Sequence, residues 1–320
     1  MSTSWIEPLL LQTKSLADVT RLRLVAILAA HELTVGETVA VLGMGQSRIS
    51  RHLKILVDAG LLTCTRSGAW ALYRVSDPVP PVLASVLKLL EEDPEVQADR
   101  QRAVAVLAER RGRVVRFFDA VAQDWKSLSQ EILGDFDLDG AVLARLDGAS
   151  VVVDLGCGPG FLLERLAAAG KQAVGVDHSP RMLEAAARRV GAYSTISLRL
   201  GDLAHLPVRD AEADGAVLSL VLHHLSHPQE VLAEAARAVR PGGRLVLADY
   251  LSHGEERLRR RHGDHWLGFR LEDLTSWVEA AGFFVETVEE YPLPSRVRLV
   301  VLAAERRGPR VGGVSLKEHT

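Results

Sequence analysis

The sequence predicts a multidomain chain, α followed by α/β: an N-terminal winged helix-turn-helix, then a doubly wound, Rossmann-like sheet. Three observations predict it. Residues 34–60 hold two helix-spaced apolar patterns joined by the turn Gly43-Met44-Gly45. From Ser150 onward, short apolar runs alternate with amphipathic helices, the pattern of a parallel sheet with helical crossovers. Between these pieces lie two breaks that no helix or central strand crosses, Asp77-Pro78-Val79-Pro80-Pro81 and Glu91-Glu92-Asp93-Pro94-Glu95.

With 320 residues, 48% of them hydrophobic, the chain has room for two domains with their own cores. Its two cysteines, Cys64 and Cys157, follow no metal or redox spacing, and no metal ligand set is assigned. No uncharged apolar run reaches about 18 residues, so no membrane span is expected. The start, Met1-Ser2-Thr3-Ser4-Trp5-Ile6-Glu7, lacks a secretory pattern, and a cytoplasmic location is expected. The net charge of −3 excludes chain-wide attraction to nucleic acid; any DNA contact has to come from a local basic patch.

Residues 21–30 read as a helix. Thr34 with Glu37 three residues on is a helix start, and that helix should end near Leu42. Residues 46–60 read as the next helix. Its Ile49, Leu53, Leu56 and Val57 share one face, while Ser47, Arg48, Ser50, Arg51 and Lys54 lie largely on the other. That second helix suits the major groove: arginine pairs bidentately with guanine, and serine, lysine and Gln46 reach base edges or phosphate. Residues 61–66 and 69–75, joined at Ser67-Gly68, read as a hairpin wing with Arg66 and Arg74 near phosphate. His52 reads as a surface or phosphate-contact group.

These residues reach a family. Leu16-Ala17-Asp18-Val19-Thr20-Arg21-Leu22-Arg23, Gln46-Ser47-Arg48-Ile49-Ser50-Arg51-His52-Leu53-Lys54-Ile55-Leu56 and Asp58-Ala59-Gly60-Leu61-Leu62 closely resemble ArsR-type repressors. The resemblance covers roughly residues 5–90. It implies a homodimer on a pseudo-palindromic DNA operator. Metal-sensing members carry cysteines in the stretch that resembles residues 32–37, where this chain has Thr34 and Gly36. Their thiolate site is therefore absent, and another signal is expected.

In the second piece, residues 150–155 form a buried strand running into Gly156-Cys157-Gly158-Pro159-Gly160, followed by a helix over 162–169. A strand, glycine turn and helix place a ligand at the strand's carboxyl end. A dinucleotide fingerprint needs glycine where Phe161 stands, so that cofactor is excluded. Further strands are expected at 173–176, ending in Asp177, at 196–200, leading to Asp202 and Leu203, at 215–219, before His223 and His224, and at 244–248 after the turn Arg240-Pro241-Gly242-Gly243. A helix over 271–281, a strand over 283–289, a Pro-containing loop over 290–296 and a strand over 297–304 complete the pattern. In this order the markers resemble class I S-adenosylmethionine-dependent methyltransferases, particularly the ubiquinone and menaquinone type, over about 114–305. The resemblance implies a seven-stranded sheet with its seventh strand inserted antiparallel. It implies S-adenosyl-L-methionine as cofactor, with Gly156, Gly158 and Gly160 along its methionine and ribose, Asp154 orienting the ammonium, Asp177 holding the ribose, and Asp202 with Leu203 at the adenine.

His223, His224, Asp249 and Tyr250 follow the fourth and fifth strands, where a small-molecule methyl acceptor would meet the cofactor; His223, His224 and Tyr250 are the candidate catalytic residues. An insert then carries His253, Glu256, His262, Asp264, His265 and Trp266. It reads first as a polar lid, with substrate contact and a metal site as alternatives. Arsenic methylation is not expected, because the arsenite enzymes rely on several cysteines. The expected division is a DNA-binding and dimerisation domain over 1–90, a helical link over 91–133, a methyltransferase core over 134–305 and a flexible tail over 306–320. The function expected is a regulator with a working methyltransferase, ligand binding being coupled to DNA binding. Two alternatives stay open: a domain that only senses the cofactor or its demethylated product, and an enzyme whose winged helix only dimerises it.

Overall fold

A computed structural model describes residues 5–67, 70–122, 124–258 and 264–308; the side chains of residues 66, 67, 70 and 111 lie outside what is described. The chain forms two units that meet in sequence between Arg113 and Val114.

The N-terminal unit contains α1 (Ile6–Leu16), α2 (Val19–Leu28), β1 (Leu33–Thr34), α3 (Val35–Leu42), α4 (Gln46–Asp58), β2 (Leu62–Ser67), β3 (Trp70–Val75), α5 (Pro81–Leu89) and the first turns of α6 (Pro94–Val121). Local chemistry sets the helix ends. The Asp18 carboxylate accepts from the Arg21 N–H at 3.1 Å and starts α2. Thr34 and Glu37 cap α3 reciprocally, and Gly43, at φ +65°, ends it in the left-handed region. The three strands run β1-β3-β2. Leu24, Ile27, Leu28, Ile49, Leu53, Leu56 and Leu61 are fully buried among these elements. Ion pairs tie α6 to this core: Arg110 donates to Glu37 at 3.2 Å, and Arg23 grips Asp99 at 2.6 and 2.8 Å and meets Glu95 at 2.8 Å.

The C-terminal unit holds a seven-stranded sheet. Its strands are β4 (Val151–Leu155), β5 (Gln172–Asp177), β6 (Ile196–Leu200), β7 (Ala213–Ser219), β8 (Val239–Tyr250), β9 (Phe283–Pro292) and β10 (Arg298–Arg306). The order is β6-β5-β4-β7-β8-β10-β9, and β10 alone runs antiparallel to its neighbours. Helices α7 (Trp125–Leu133), α8 (Leu138–Leu143), α9 (Phe161–Ala168), α10 (Pro180–Val190), α11 (Pro228–Ala238) and α12 (Leu271–Ala280) accompany it. The chain leaves β4 toward β5 and β6, then returns on the other side to β7. That reversal opens a crevice at the carboxyl ends of β4 and β7, where ligands of such sheets bind.

The structure adjusts three details. The helix expected from residue 96 to about 133 is two helices, α6 and α7. The turn at 240–243 lies inside β8: Val239 pairs with Ala213, the register shifts, and pairing resumes at Arg244 with Gly215. Strand β9 runs on to Pro292 because its pairing with β10, bulged at Glu286, continues as far as Arg298, which shortens the expected loop. The Ser67-Gly68 turn and the segment from 309 lie outside or partly outside the described residues.

Candidate functional site

The glycine turn after β4 is built by backbone bonds. Gly156 and Cys157 donate N–H to the Val176 carbonyl at 2.8 and 3.0 Å, joining the turn to β5. Gly156, Gly158 and Gly160 take φ of +79°, +50° and +80°, a region that penalises any side chain. A methyl group on Gly156 would sit 2.6 Å from Val221, whereas one on Gly158 would meet nothing within 4 Å. The turn therefore closes against β7's exit on one side and is open on the other.

Two carboxylates flank that opening. Asp177, at the tip of β5, accepts N–H bonds from Gly158 at 2.8 Å and Ser179 at 2.9 Å. Burial holds its carboxyl above the ordinary value, against the pull of those bonds and of His178. Asp154, at the end of β4, is 3% exposed. Burial, helped by the charges of Asp139 and Asp177, pushes its carboxyl up to about 8. Such a group favours a cationic partner. Asp202 lies exposed after β6 and caps the Ala204 N–H at 2.9 Å, with Leu203 buried beside it. Cys157 is buried, and burial raises its thiol well above the usual range, so it packs as a small apolar group and is no nucleophile.

Beyond β7 the chain turns at Leu220, held at φ +56°, into one 3₁₀ turn over Leu222–His224. That turn aims His223 back at β8. Its Nδ1 lies 2.7 Å from Asp249 Oδ1, and both side chains are buried. The carboxylate accepts, so the proton belongs on Nδ1 and Nε2 faces the other way. There Asp264 Oδ1 stands 3.7 Å from His223 Nε2 and 3.9 Å from His224 Nδ1. Burial pushes the His223 imidazole down, but Asp249 and Asp264 outweigh it and leave the ring above its ordinary value. Tyr250, 4.9 Å from the His223 ring, is buried, which raises its hydroxyl well above the usual range. His223, His224, Tyr250 and Asp264 share a cavity of about 20 Å³ with Leu220 and with Trp125, Leu128, Ser129 and Ile132 of α7. That is room for one water-sized guest. Phe118 of α6 closes edge-on against His224, at 4.8 Å between centroids.

The insert contributes through its far end. His265 and Trp266 donate N–H to the His223 carbonyl at 2.8 and 2.9 Å, and the Trp266 indole donates to Leu225 at 2.7 Å. Those bonds carry the buried Asp264 to the histidines. His253 follows β8, with its ring 6.1 Å from that of Tyr250. Within the insert expected as a polar lid, Leu258 is buried; His262 lies outside the described residues. Sequence reasoning named Asp249 and Asp264 but paired neither with His223. The only signal was that Asp249 is an acid at the end of the fifth strand and Asp264 an acid in the insert that follows it.

In the N-terminal unit, Gln46, Ser47, Arg48, Arg51 and Lys54 form an exposed row on α4, with Ser50 half-buried among them. Arg74 is exposed on β3; the Arg66 side chain lies outside the described residues. Val57 is half-buried and packs against the core, as expected. His52 departs from expectation. It is buried, with Nδ1 3.5 Å from Arg21 and 3.8 Å from Asp18. Burial lowers its imidazole, and Arg21, Arg48 and Arg51 add to that against Asp18. A buried neutral ring between helices is packing and does not reach phosphate.

Comparison with known proteins agrees with this geometry. The family described as bacterial regulatory protein, arsR family, matches residues 18–63, and the methyltransferase domain family matches 153–247. A demethylmenaquinone methyltransferase of Corynebacterium kroppenstedtii is 34% identical over 152 residues, covering 46% of this chain and 64% of that protein. An uncharacterized 37.1 kDa protein in transposon TN4556 of Streptomyces fradiae is 43% identical over 100 residues, 30% of this chain and 29% of the other. The chain thus spans less than two thirds of the curated relatives it matches. In solved structures, the Burkholderia thailandensis 1,6-didemethyltoxoflavin-N1-methyltransferase, bound to that compound and S-adenosylhomocysteine, shares the fold. Its TM-score is 0.53 at 19% identity, over 63% of this chain and 90% of that one. The sheet order, the glycine turn and the α4 face lead to one assignment: the chain carries an ArsR-family helix-turn-helix in its N-terminal unit and a methyltransferase domain of the S-adenosylmethionine-dependent class in its C-terminal unit.

Proposed function

We propose that the protein is a DNA-binding transcriptional regulator whose C-terminal unit transfers methyl groups from S-adenosylmethionine to a small-molecule acceptor, with ligand binding coupled to DNA binding. The observation that carries the enzymatic half is the meeting of two features at one sheet edge. The open glycine turn with buried Asp154 and Asp177 lies at β4 and β5, and the buried His223, His224, Asp249 and Tyr250 cluster lies at β7 and β8.

The residues fit the cofactor. Open space over Gly158 admits a ligand against backbone, and the buried Asp154 carboxyl, raised to about 8 without a cation beside it, would ionise to pair with a ligand ammonium. Asp177 would take the ribose, and Asp202 with Leu203 the adenine. The bound cofactor supplies an electrophilic methyl on a sulfonium; the protein aligns the acceptor with it and excludes water. Asp249 orients His223 toward the cavity, which α7 walls with apolar side chains; an acceptor would have to widen this water-sized space, and its apolar wall favours a mostly apolar one.

The regulatory half rests on the exposed row Gln46, Ser47, Arg48, Arg51 and Lys54, with Arg74 on the wing. Homodimerisation on a pseudo-palindromic operator would use α1 and α5, which expose Trp5 (79%), Ile6, Leu9, Leu10 and Leu89 (82%). Support for coupling comes from α6, which places Ala103 and Leu107 in the N-terminal core and Phe118 beside His224. A cavity of about 20 Å³ favours a second reading, a domain that senses S-adenosylmethionine or S-adenosylhomocysteine without turnover.

Fluorescence anisotropy on the protein's own upstream DNA tests the proposal. Titrations run without ligand, with S-adenosylmethionine and with S-adenosylhomocysteine, at one salt concentration. A ligand-dependent affinity supports coupling, and reciprocity requires DNA to shift ligand affinity by the same factor. Affinity unchanged by either ligand overturns coupling to the cofactor, and absence of specific DNA binding leaves a dimerised enzyme. S-adenosylhomocysteine release that responds to added acceptors separates enzyme from sensor.

A further inference from the structure

We propose that His223, His224 and Asp264 bind a divalent transition-metal ion, of the kind taken by imidazole and carboxylate together, at the wall of the acceptor cavity. One ligand atom from each of the three side chains lies within 4.8 Å of the others, and all three residues are buried. Metal–ligand bonds of roughly 2.0–2.2 Å place neighbouring ligand atoms about 3.4 Å apart, so the carboxylate contacts of 3.7 and 3.9 Å close by a few tenths of an ångström, while the remaining pair, within 4.8 Å, closes by up to about 1.4 Å through rotation of the histidine side chains.

Three further features fit an ion. His223 donates its Nδ1–H to Asp249, which fixes the tautomer that presents a lone pair on Nε2; metal-binding histidines are commonly held by a carboxylate in this way. The cavity beside the three ligands has room for one water-sized guest, which matches three protein ligands and an open fourth position. The donor set is two nitrogens and one oxygen without sulfur, which suits Zn²⁺, Co²⁺, Fe²⁺ or Mn²⁺ and not a soft ion. Asp264 comes from the insert, 41 residues beyond His223 by sequence number, and is carried into place by the bonds of His265 and Trp266 to the His223 carbonyl. The site is separate from Asp154, Asp177 and Asp202, so it stands whether or not the domain turns over. The rival arrangement is a positively charged His223 ring lying between Asp249 and Asp264 with no metal.

Cobalt titration of the chelator-treated full-length protein decides between them. The expected result is saturable visible ligand-field absorption at about one equivalent per chain, displaced by Zn²⁺. His224→Gln and Asp264→Asn should lose it while far-UV circular dichroism stays that of the wild type. Asp249→Asn should keep the stoichiometry and weaken affinity by roughly 10–100-fold. Wild-type protein that takes up no cobalt overturns the proposal whatever the variants do. So does absorption that persists unchanged in His224→Gln and Asp264→Asn, since the ion is then elsewhere.

Discussion

Replacing Asp154 by asparagine should remove most of the pH dependence of S-adenosylhomocysteine binding. Burial first, then Asp139 and Asp177, push the Asp154 carboxyl up to about 8 in the free protein. An aspartate in the unfolded chain titrates near its ordinary value of 3.8. In the window between these values the folded chain holds a proton that the unfolded chain has lost, so Asp154's contribution to stability is fully present below about pH 4 and is lost as pH rises toward 8. A ligand ammonium beside it reverses the preference, because it needs the carboxylate. With a pKa near 8, roughly one carboxyl in a hundred is ionised at about pH 6 and one in four at about pH 7.5. Affinity should therefore rise roughly 25-fold between those values, about 2 kcal/mol, while the ligand amine stays charged. Isothermal titration calorimetry should also report proton release that grows as pH falls across this range, read from the buffer dependence of the enthalpy. Asp177, also raised, adds in the same direction, so the comparison that matters is wild type against Asp154→Asn, whose affinities should converge near pH 6. A flat wild-type profile, or a variant with the full slope, refutes the placement of Asp154 beside the ammonium.

The two glycines of the turn should differ. Gly156→Ala combines a positive φ with a 2.6 Å approach to Val221 and should cost about 2–4 kcal/mol in urea unfolding; Gly158→Ala meets only open space and should cost about 1 kcal/mol. Equal losses would contradict the geometry. Arg48→Ala and Arg51→Ala should each weaken operator binding by about 1–3 kcal/mol if they read bases, measured by anisotropy; an unchanged affinity would remove α4 from the groove. Arg110→Leu leaves Glu37 as a buried charge held only by its cap and should destabilise the N-terminal unit by about 3–5 kcal/mol in chemical denaturation, with recovery on adding Glu37→Gln. A loss below about 1 kcal/mol would mean that water already reaches the pair.

Much of the fold was legible because its signals are local. The Thr34–Glu37 cap, the Gly43 stop, the glycines after β4 and the apolar runs of β4 to β7 each act within a few residues, through hydrogen bonds or φ preferences that any neighbours would leave intact. Errors fell where a partner comes from far along the chain. His52 looks like a surface residue of α4 until α1 and α2 pack over it. The 240–243 turn looks like a loop until β7 pairs on both sides of it.

For the site, the sequence by itself determined which chemistry-bearing residues follow which strand: the glycines and Asp154 after β4, Asp177 after β5, His223 and His224 after β7, Asp249 and Tyr250 at the end of β8. Parallel strands joined by helical crossovers all point the same way, so those ends had to share one end of the sheet. Only the tertiary structure decided which of them touch. The Leu220 backbone turn swings His223 onto Asp249, and the insert's bonds to the His223 carbonyl bring Asp264 against both histidines. Such pairings depend on side-chain directions and on distances of a few ångströms between segments tens of residues apart. Periodicity and spacing along a chain do not encode those quantities.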